Sequence, residues 1–335
     1  MPNPAVFEDE ELGVLEDKTE ALTLRSKRTE RARRKQTKKA TKSIESSQGF
    51  LDILSYELVF EILVLLRPSD LFNLQRTSKA FYTVITGDEA RIARTVSAWR
   101  YSCLEKCFRL PVLLADINPA IHHLLQIPER QELFTIHKKP YQHIEPPDPA
   151  EVCTCLTCML RWSALSLIVD FARWQDHLDK GEPIPVIPRG EPPEWNQVII
   201  VSHANIVRKA LHSPLWHARL LEMHLDSTTR SIRRHAANRG NKRQRFQVTQ
   251  DDANSGTDAF LLQSGPSTFD FPYHRDNYYL LETFMPNRSW SQDLSRWLYL
   301  PAEQHDRDIE FVVMWAERRR KAAREQERAG REGTQ

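Results

Sequence analysis

The sequence predicts a mainly α-helical protein, with a compact helical unit near the N-terminus and a longer, proline-interrupted helical domain after it. Two observations carry that expectation. Apolar residues recur at helical spacing over long stretches, at 91–108, 158–178, 196–212, 215–234 and 311–328. Two proline-rich connectors, 140–149 and 181–193, separate the helical stretches and suit extended, polyproline-like segments. No repeat of 20 to 50 residues is visible, which excludes propeller and solenoid arrays. A few short strands are allowed in the last third.

The N-terminal end reads as a tail. Residues 1–20 carry seven acidic residues and one lysine, and residues 25–42 carry ten Lys or Arg and one Glu. Runs of like charge repel themselves and have little to bury, so residues 1–47 are expected to stay unfolded. The basic half, Arg25 through Lys39, has the composition of a nuclear import signal, and localisation is expected in the nucleus, the cytoplasm or both. No apolar run is long enough to span a membrane and no secretory leader is visible. Five cysteines, an odd number without an export signal, fit a reducing compartment better than a disulfide framework. Residues 318–335 read as a second charged tail.

Between them, the unit at 48–88 shows the densest local signals. Ser55 is a plausible cap, followed by Leu58, Ile62, Leu63, Leu65 and Leu66 at helical spacing. Arg67-Pro68 stops that helix. Ser69 is expected to cap the next one, with Asp70 in its first turn, where negative charge suits the helix dipole. Leu71, Leu74, Ser78, Phe81, Val84 and Ile85 complete two or three short helices. So small a unit cannot bury so dense an apolar set by itself, which predicts a partner groove.

The segment Leu54-Ser55-Tyr56-Glu57-Leu58 through Ile62-Leu63, Leu66-Arg67-Pro68-Ser69-Asp70-Leu71 and Ser78-Lys79-Ala80-Phe81 resembles the F-box. Glu57, Leu58, Ile62, Leu63, Leu66, Pro68, Asp70, Leu71, Ser78, Lys79 and Phe81 fall on that family's pattern, and Ser55 stands where the family usually has proline. The resemblance implies a non-catalytic adaptor that recruits a protein substrate to a cullin-based (SCF-type) ubiquitin ligase. Its implied partners are a Skp-family adaptor and, through it, the cullin scaffold, with Leu54, Leu58, Ile62, Leu63, Leu66, Pro68, Leu71, Leu74 and Phe81 as the adaptor-binding set. Residues 89–317 would then recognise the substrate. The remainder also resembles a family of fungal F-box proteins, on Cys153-Thr154-Cys155-Leu156-Thr157-Cys158, Gly181-Glu182-Pro183-Ile184-Pro185 and Pro272-Tyr273-His274-Arg275-Asp276-Asn277-Tyr278-Tyr279.

Three further constellations bear on chemistry. Cys153, Cys155 and Cys158 form a C-x-C-x-x-C cluster that can supply three of the four ligands of a Zn²⁺ ion, with Cys107, His143 or His122 as the fourth. The alternative is plain buried thiols, and no cofactor is otherwise expected. Seven basic residues and no acid lie in 230–246, among them Arg233, Arg234, Lys242, Arg243 and Arg245. They suit an acidic or phosphorylated partner, or else form a solvated loop at a helix end near Gly240. A nuclear, nucleic-acid-associated protein is the rival reading they support, with nucleic acid the less favoured partner. Aromatics crowd the last third (Phe269, Phe271, Tyr273, Tyr278, Tyr279, Phe284, Trp290, Trp297, Tyr299, Trp315), where a subset beside His274, Arg275 and Asp276 suits a recognition pocket. Signatures of nucleotide loops, nucleophile elbows and H-E-x-x-H metalloproteases are missing, so no enzymatic activity is expected.

Overall fold

The computed structural model describes residues 54–128, 144–180, 193–237, 248–262 and 285–332, with residues 30, 31, 33–36, 130, 182 and 185 besides. The chain divides into two units, Met1–Tyr56 and Glu57–Gln335, and the second contains the folded core described below.

The protein is mainly α-helical. Three short helices come first: α1 (Tyr56–Leu65), α2 (Pro68–Gln75) and α3 (Lys79–Gly87). Pro68 sits in the first turn of α2, where its missing N–H costs nothing. Ser78 caps α3, its hydroxyl accepting from the Phe81 amide at 3.3 Å. The expected cap of α2 is a correction. Arg67 occupies the N-cap position and makes no side-chain cap bond. Ser69 lies inside the helix instead, donating its amide and hydroxyl to Glu222 at 2.8 and 2.6 Å.

The stretch 91–108, expected as one helix, is two: α4 (Glu89–Arg100) and α5 (Leu104–Cys107). Asp258 explains the break. Its buried carboxylate accepts both the Cys103 and Leu104 amides at 2.8 Å, which takes them out of a continuous helical ladder. The Asp258 amide in turn donates to Arg100 O. Next come two 3₁₀ turns, Leu114–Asp116 and Pro119–Ile121, and the one-turn helix α6 (His122–Leu125). The stretch 158–178 is likewise split, into α7 (Leu156–Arg173) and α8 (Gln175–Lys180), at Trp174, whose indole donates to Asp170 at 3.0 Å.

Helices α9 (Glu194–His212) and α10 (Pro214–Ala237) agree closely with the sequence pattern. The proposed helix stop near Gly240 lies outside the described residues. A one-and-a-half-turn helix, α11 (Gln250–Ser255), opens with a Thr249–Asp252 capping box and closes on Gly256 at φ 61°, a left-handed conformation that glycine adopts without strain. Among the described residues the only sheet is an antiparallel hairpin of β1 (Arg288–Ser291) and β2 (Arg296–Tyr299), in which Trp290 opposes Trp297. Helix α12 (Gln304–Glu332) is the last of the described elements and begins seven residues before the expected start.

Helix α10 is the hub. It packs against α7, α4, α9, α2 and α8. The fully buried side chains Trp162, Phe171, Tyr101, Phe108, Leu165, Leu220 and Leu221 fill the space between. A smaller, separate core of Leu114, Ile117, Leu124, Leu125 and Val312 gathers around the three cysteines Cys153, Cys155 and Cys158. No described helix is long and apolar enough to cross a membrane.

Candidate functional sites: an exposed helical face and a buried thiol cluster

Helix α1 has two apolar faces. Val59 and Leu63 point into the core, at 4% and 2% exposure. Leu58, Ile62 and Leu65 form a stripe at i, i+4 and i+7 on the other side, exposed to 48%, 40% and 64%. Tyr82 of α3 is exposed as well. The last-turn carbonyls of α1, orphaned at every helix end, are met from α4: Trp99 donates its indole N–H to Val64 O at 3.2 Å and Arg100 donates to Leu65 O. The Arg91 guanidinium lies 4.0 Å over the Phe60 ring. These contacts tie α1 to α4, and none was visible in the sequence as such.

The residues expected to face an adaptor therefore separate. Leu58 and Ile62 are on the surface, Leu66, Leu74 and Phe81 are half-buried, and Leu54 lies in the preceding unit. Leu63, Pro68 and Leu71, expected in the same set, are buried within the protein instead. The physical reason is helical geometry. Leu63 follows Ile62 by one residue, which is about 100° round the helix and onto the core side. Leu65 takes a place in the stripe that the sequence pattern assigned to Leu66.

Residues 51–91 match the F-box domain family, a span that covers α1 to α3 and the start of α4. The chain carries an F-box. No curated protein and no solved structure matches the chain. Proteins with this domain generally serve as non-catalytic adaptors that bind the Skp-family subunit of SCF ubiquitin ligases.

Outside the F-box, the second site is a buried cluster. Cys153, Cys155, Cys158 and His305 offer ligand atoms that all lie within 4.8 Å of one another, and all four residues are buried. His305 Nδ1 is 3.3 Å from both the Cys155 and Cys158 sulfurs. Such a donor set can hold a metal ion. The fourth member is a correction to the expected Cys107, His122 or His143. Cys107 stands apart beside Cys103, His122 Nε2 donates to Ile117 O at 2.9 Å, and His143 lies outside the described residues.

Three elements bring the cluster together. Cys153 ends an extended segment bridged to Leu113 through Val152, its amide donating to Val112 O at 3.0 Å. Cys155 is the N-cap of α7, and Cys158 is in its first turn. His305 is the second residue of α12. The Thr157 amide donates to Asp308 at 2.7 Å, tying the same two helix ends. Backbone amides donate to each sulfur: Cys155 N to Cys153 Sγ at 3.3 Å, Cys158 N to Cys155 Sγ at 3.4 Å, and Val112 N to Cys158 Sγ at 3.4 Å. Hydrogen bonding among the thiols and burial push Cys153 and Cys158 up to about 12. At Cys155 the bond with Cys153 acts downward, but Cys158 and burial outweigh it, again to about 12. All five cysteines are free.

The other sequence candidates fare less evenly. Arg233 and Arg234 are exposed near the end of α10, and Arg233 donates to Gln250 at 2.7 Å. Lys242, Arg243 and Arg245 lie outside the described residues, as do Phe269, Phe271, Tyr273, His274, Arg275, Asp276, Tyr278, Tyr279 and Phe284. Trp290 and Trp297 form a cross-strand edge-on pair, 5.4 Å between centroids, with Arg288 3.9 Å over Trp297. That arrangement locks the hairpin. Trp315 is exposed on α12.

Proposed function

We propose that this protein is a substrate receptor of a cullin-based ubiquitin ligase, in which the Leu58–Ile62–Leu65 stripe docks onto the Skp-family adaptor. The carrying observation is that the F-box, although packed on α10, leaves three large aliphatic side chains in a row on the outer face of α1. An apolar stripe on a short helix fits a partner groove. The helical body from α4 to α12 would carry the substrate. This chain's part in ubiquitin transfer would be proximity, raising the effective concentration of a substrate lysine near the conjugating enzyme.

The test is the double substitution Leu58→Asp with Ile62→Asp. Both side chains are exposed, so helicity and melting temperature should stay near wild type. Each buried aliphatic anchor contributes about 1.5–3 kcal/mol. Losing two should weaken adaptor capture by at least about a hundredfold. Purified adaptor in a titration, with circular dichroism alongside, reads both. Wild-type affinity in the folded double variant would sink the proposal. Docking through aliphatic side chains should also change little with salt, whereas phosphate binding through the 230–246 segment would weaken steeply.

A further inference from the structure

We propose that Cys153, Cys155, Cys158 and His305 form a structural Zn²⁺ site that fastens the start of α12 to the start of α7. The donor set selects the metal. Three sulfurs and one imidazole nitrogen are soft ligands, and four protein ligands in a closed arrangement suit tetrahedral Zn²⁺. The geometry fits. Zn–S distances of about 2.3 Å and Zn–N of about 2.0–2.1 Å put neighbouring ligand atoms roughly 3.6–3.8 Å apart in a tetrahedron. Here the two sulfur–nitrogen separations are 3.3 Å and the whole set lies within 4.8 Å.

Two independent features point the same way. Each sulfur accepts a backbone N–H, from Cys155, Cys158 or Val112, a bond that strengthens once a bound cation has displaced the thiol proton. Cys155 and Cys158 also stand at the N-terminus of an 18-residue helix, whose dipole favours negative charge. Three thiolates, a neutral imidazole and Zn²⁺ leave one net negative charge in a buried place. Arg130, which donates to Thr154 O at 3.2 Å, acts electrostatically on Cys153 and Cys155 and offsets it. Buried Arg161, bonded to Leu110 O and Ala302 O, braces the turn that leads into His305. A closed set of four protein ligands leaves no position for substrate, so the role is structural. The apolar residues around the cluster are few, and a metal is a staple suited to a core of that size.

Purified full-length protein should contain about one zinc per chain by elemental analysis, and strong chelation should lower its melting temperature. Cobalt exchanged into the wild-type protein should give the intense visible bands of a tetrahedral thiolate site. His305→Ala should weaken zinc retention by more than the roughly 10–100-fold that loss of an outer partner costs. His305→Cys should restore about one equivalent, because four thiolates also make a closed site. If His305→Ala fails to fold, the wild-type metal content and cobalt spectrum decide. Wild-type protein that is metal-free and refuses cobalt overturns the site. Full zinc retention in folded His305→Ala overturns the assignment of the fourth ligand. Iron in place of zinc overturns the choice of metal. Adaptor binding by the Leu58/Ile62 face is measured separately, so either proposal can fail without the other.

Discussion

His217 shows how one part-buried side chain couples this fold to pH. Its Nε2–H donates to Phe108 O at 2.8 Å, and burial, opposed in part by that bond, holds it below the ordinary histidine range. The native chain therefore refuses a proton that the unfolded chain accepts. The sign follows: above about pH 6.5 the residue costs nothing, and as pH falls below that value unfolding gains a bound proton and stability drops. The slope from this residue can reach about 1.4 kcal/mol per pH unit. His217→Gln keeps a donor for Phe108 O and removes the titration. Urea unfolding at neutral and mildly acidic pH should show a shallower acid loss in the variant. Equal losses in both proteins would remove His217 from the pH response. Asp258 is the other residue with local authority, since its carboxylate ends α4 by taking two amides.

At the scale of elements, the most consequential joint is α2 on α10. Glu222, 3% exposed, accepts the Ser69 amide and hydroxyl and the Arg219 guanidinium at 2.9 Å. Beside it, Phe72 and Trp216 lie 4.8 Å apart between centroids. A carboxylate from a distant helix thus takes the place of a local cap at the N-terminus of α2. Glu222→Ala leaves a part-buried amide and hydroxyl without their acceptor and Arg219 without its partner. It should cost about 2–4 kcal/mol in chemical denaturation, with Glu222→Gln milder. A loss below about 0.5 kcal/mol, the range of ordinary surface changes, would mean that solvent replaces the carboxylate. The split of two expected helices belongs to this scale too. Their apolar periodicity runs on through Tyr101 and Trp174, but at the first break the distant Asp258 carboxylate takes the Cys103 and Leu104 amides, and at the second the Trp174 indole turns back onto Asp170.

At the scale of the molecule, the F-box does not stand apart. Helices α2 and α4 both pack on α10, and Glu89 at the start of α4 accepts the Leu215 amide at 3.2 Å. A chain beginning at residue 89 would uncover the Trp216 side of α10. It should bind more of a hydrophobic dye and melt below the full-length protein, since exposed apolar area is costly. An unchanged melting temperature without dye binding would show that residues 89–335 need nothing from the F-box. The Leu58–Ile62–Leu65 stripe and the thiol cluster lie on different elements, α1 against α7 and α12, so one can be altered with the other intact.

What the sequence determined by itself is what short-range chemistry carries. The F-box was legible because Pro68, Ser78 and the 58–62 aliphatic spacing act within one or two turns. Helices α9 and α10 were legible because a long amphipathic period leaves little choice of boundary. The cysteine trio was legible as a spacing. Tertiary structure alone decided which aliphatics face out, because Leu63 and Ile62 are equally apolar and only the position of the core separates them. It alone brought His305 to the thiols across 147 residues, and Glu222 to Ser69 across 153. A ligand or a cap supplied over such a distance leaves no local pattern. Its place is set by how the helices pack, and that packing is a sum of burial over the whole chain.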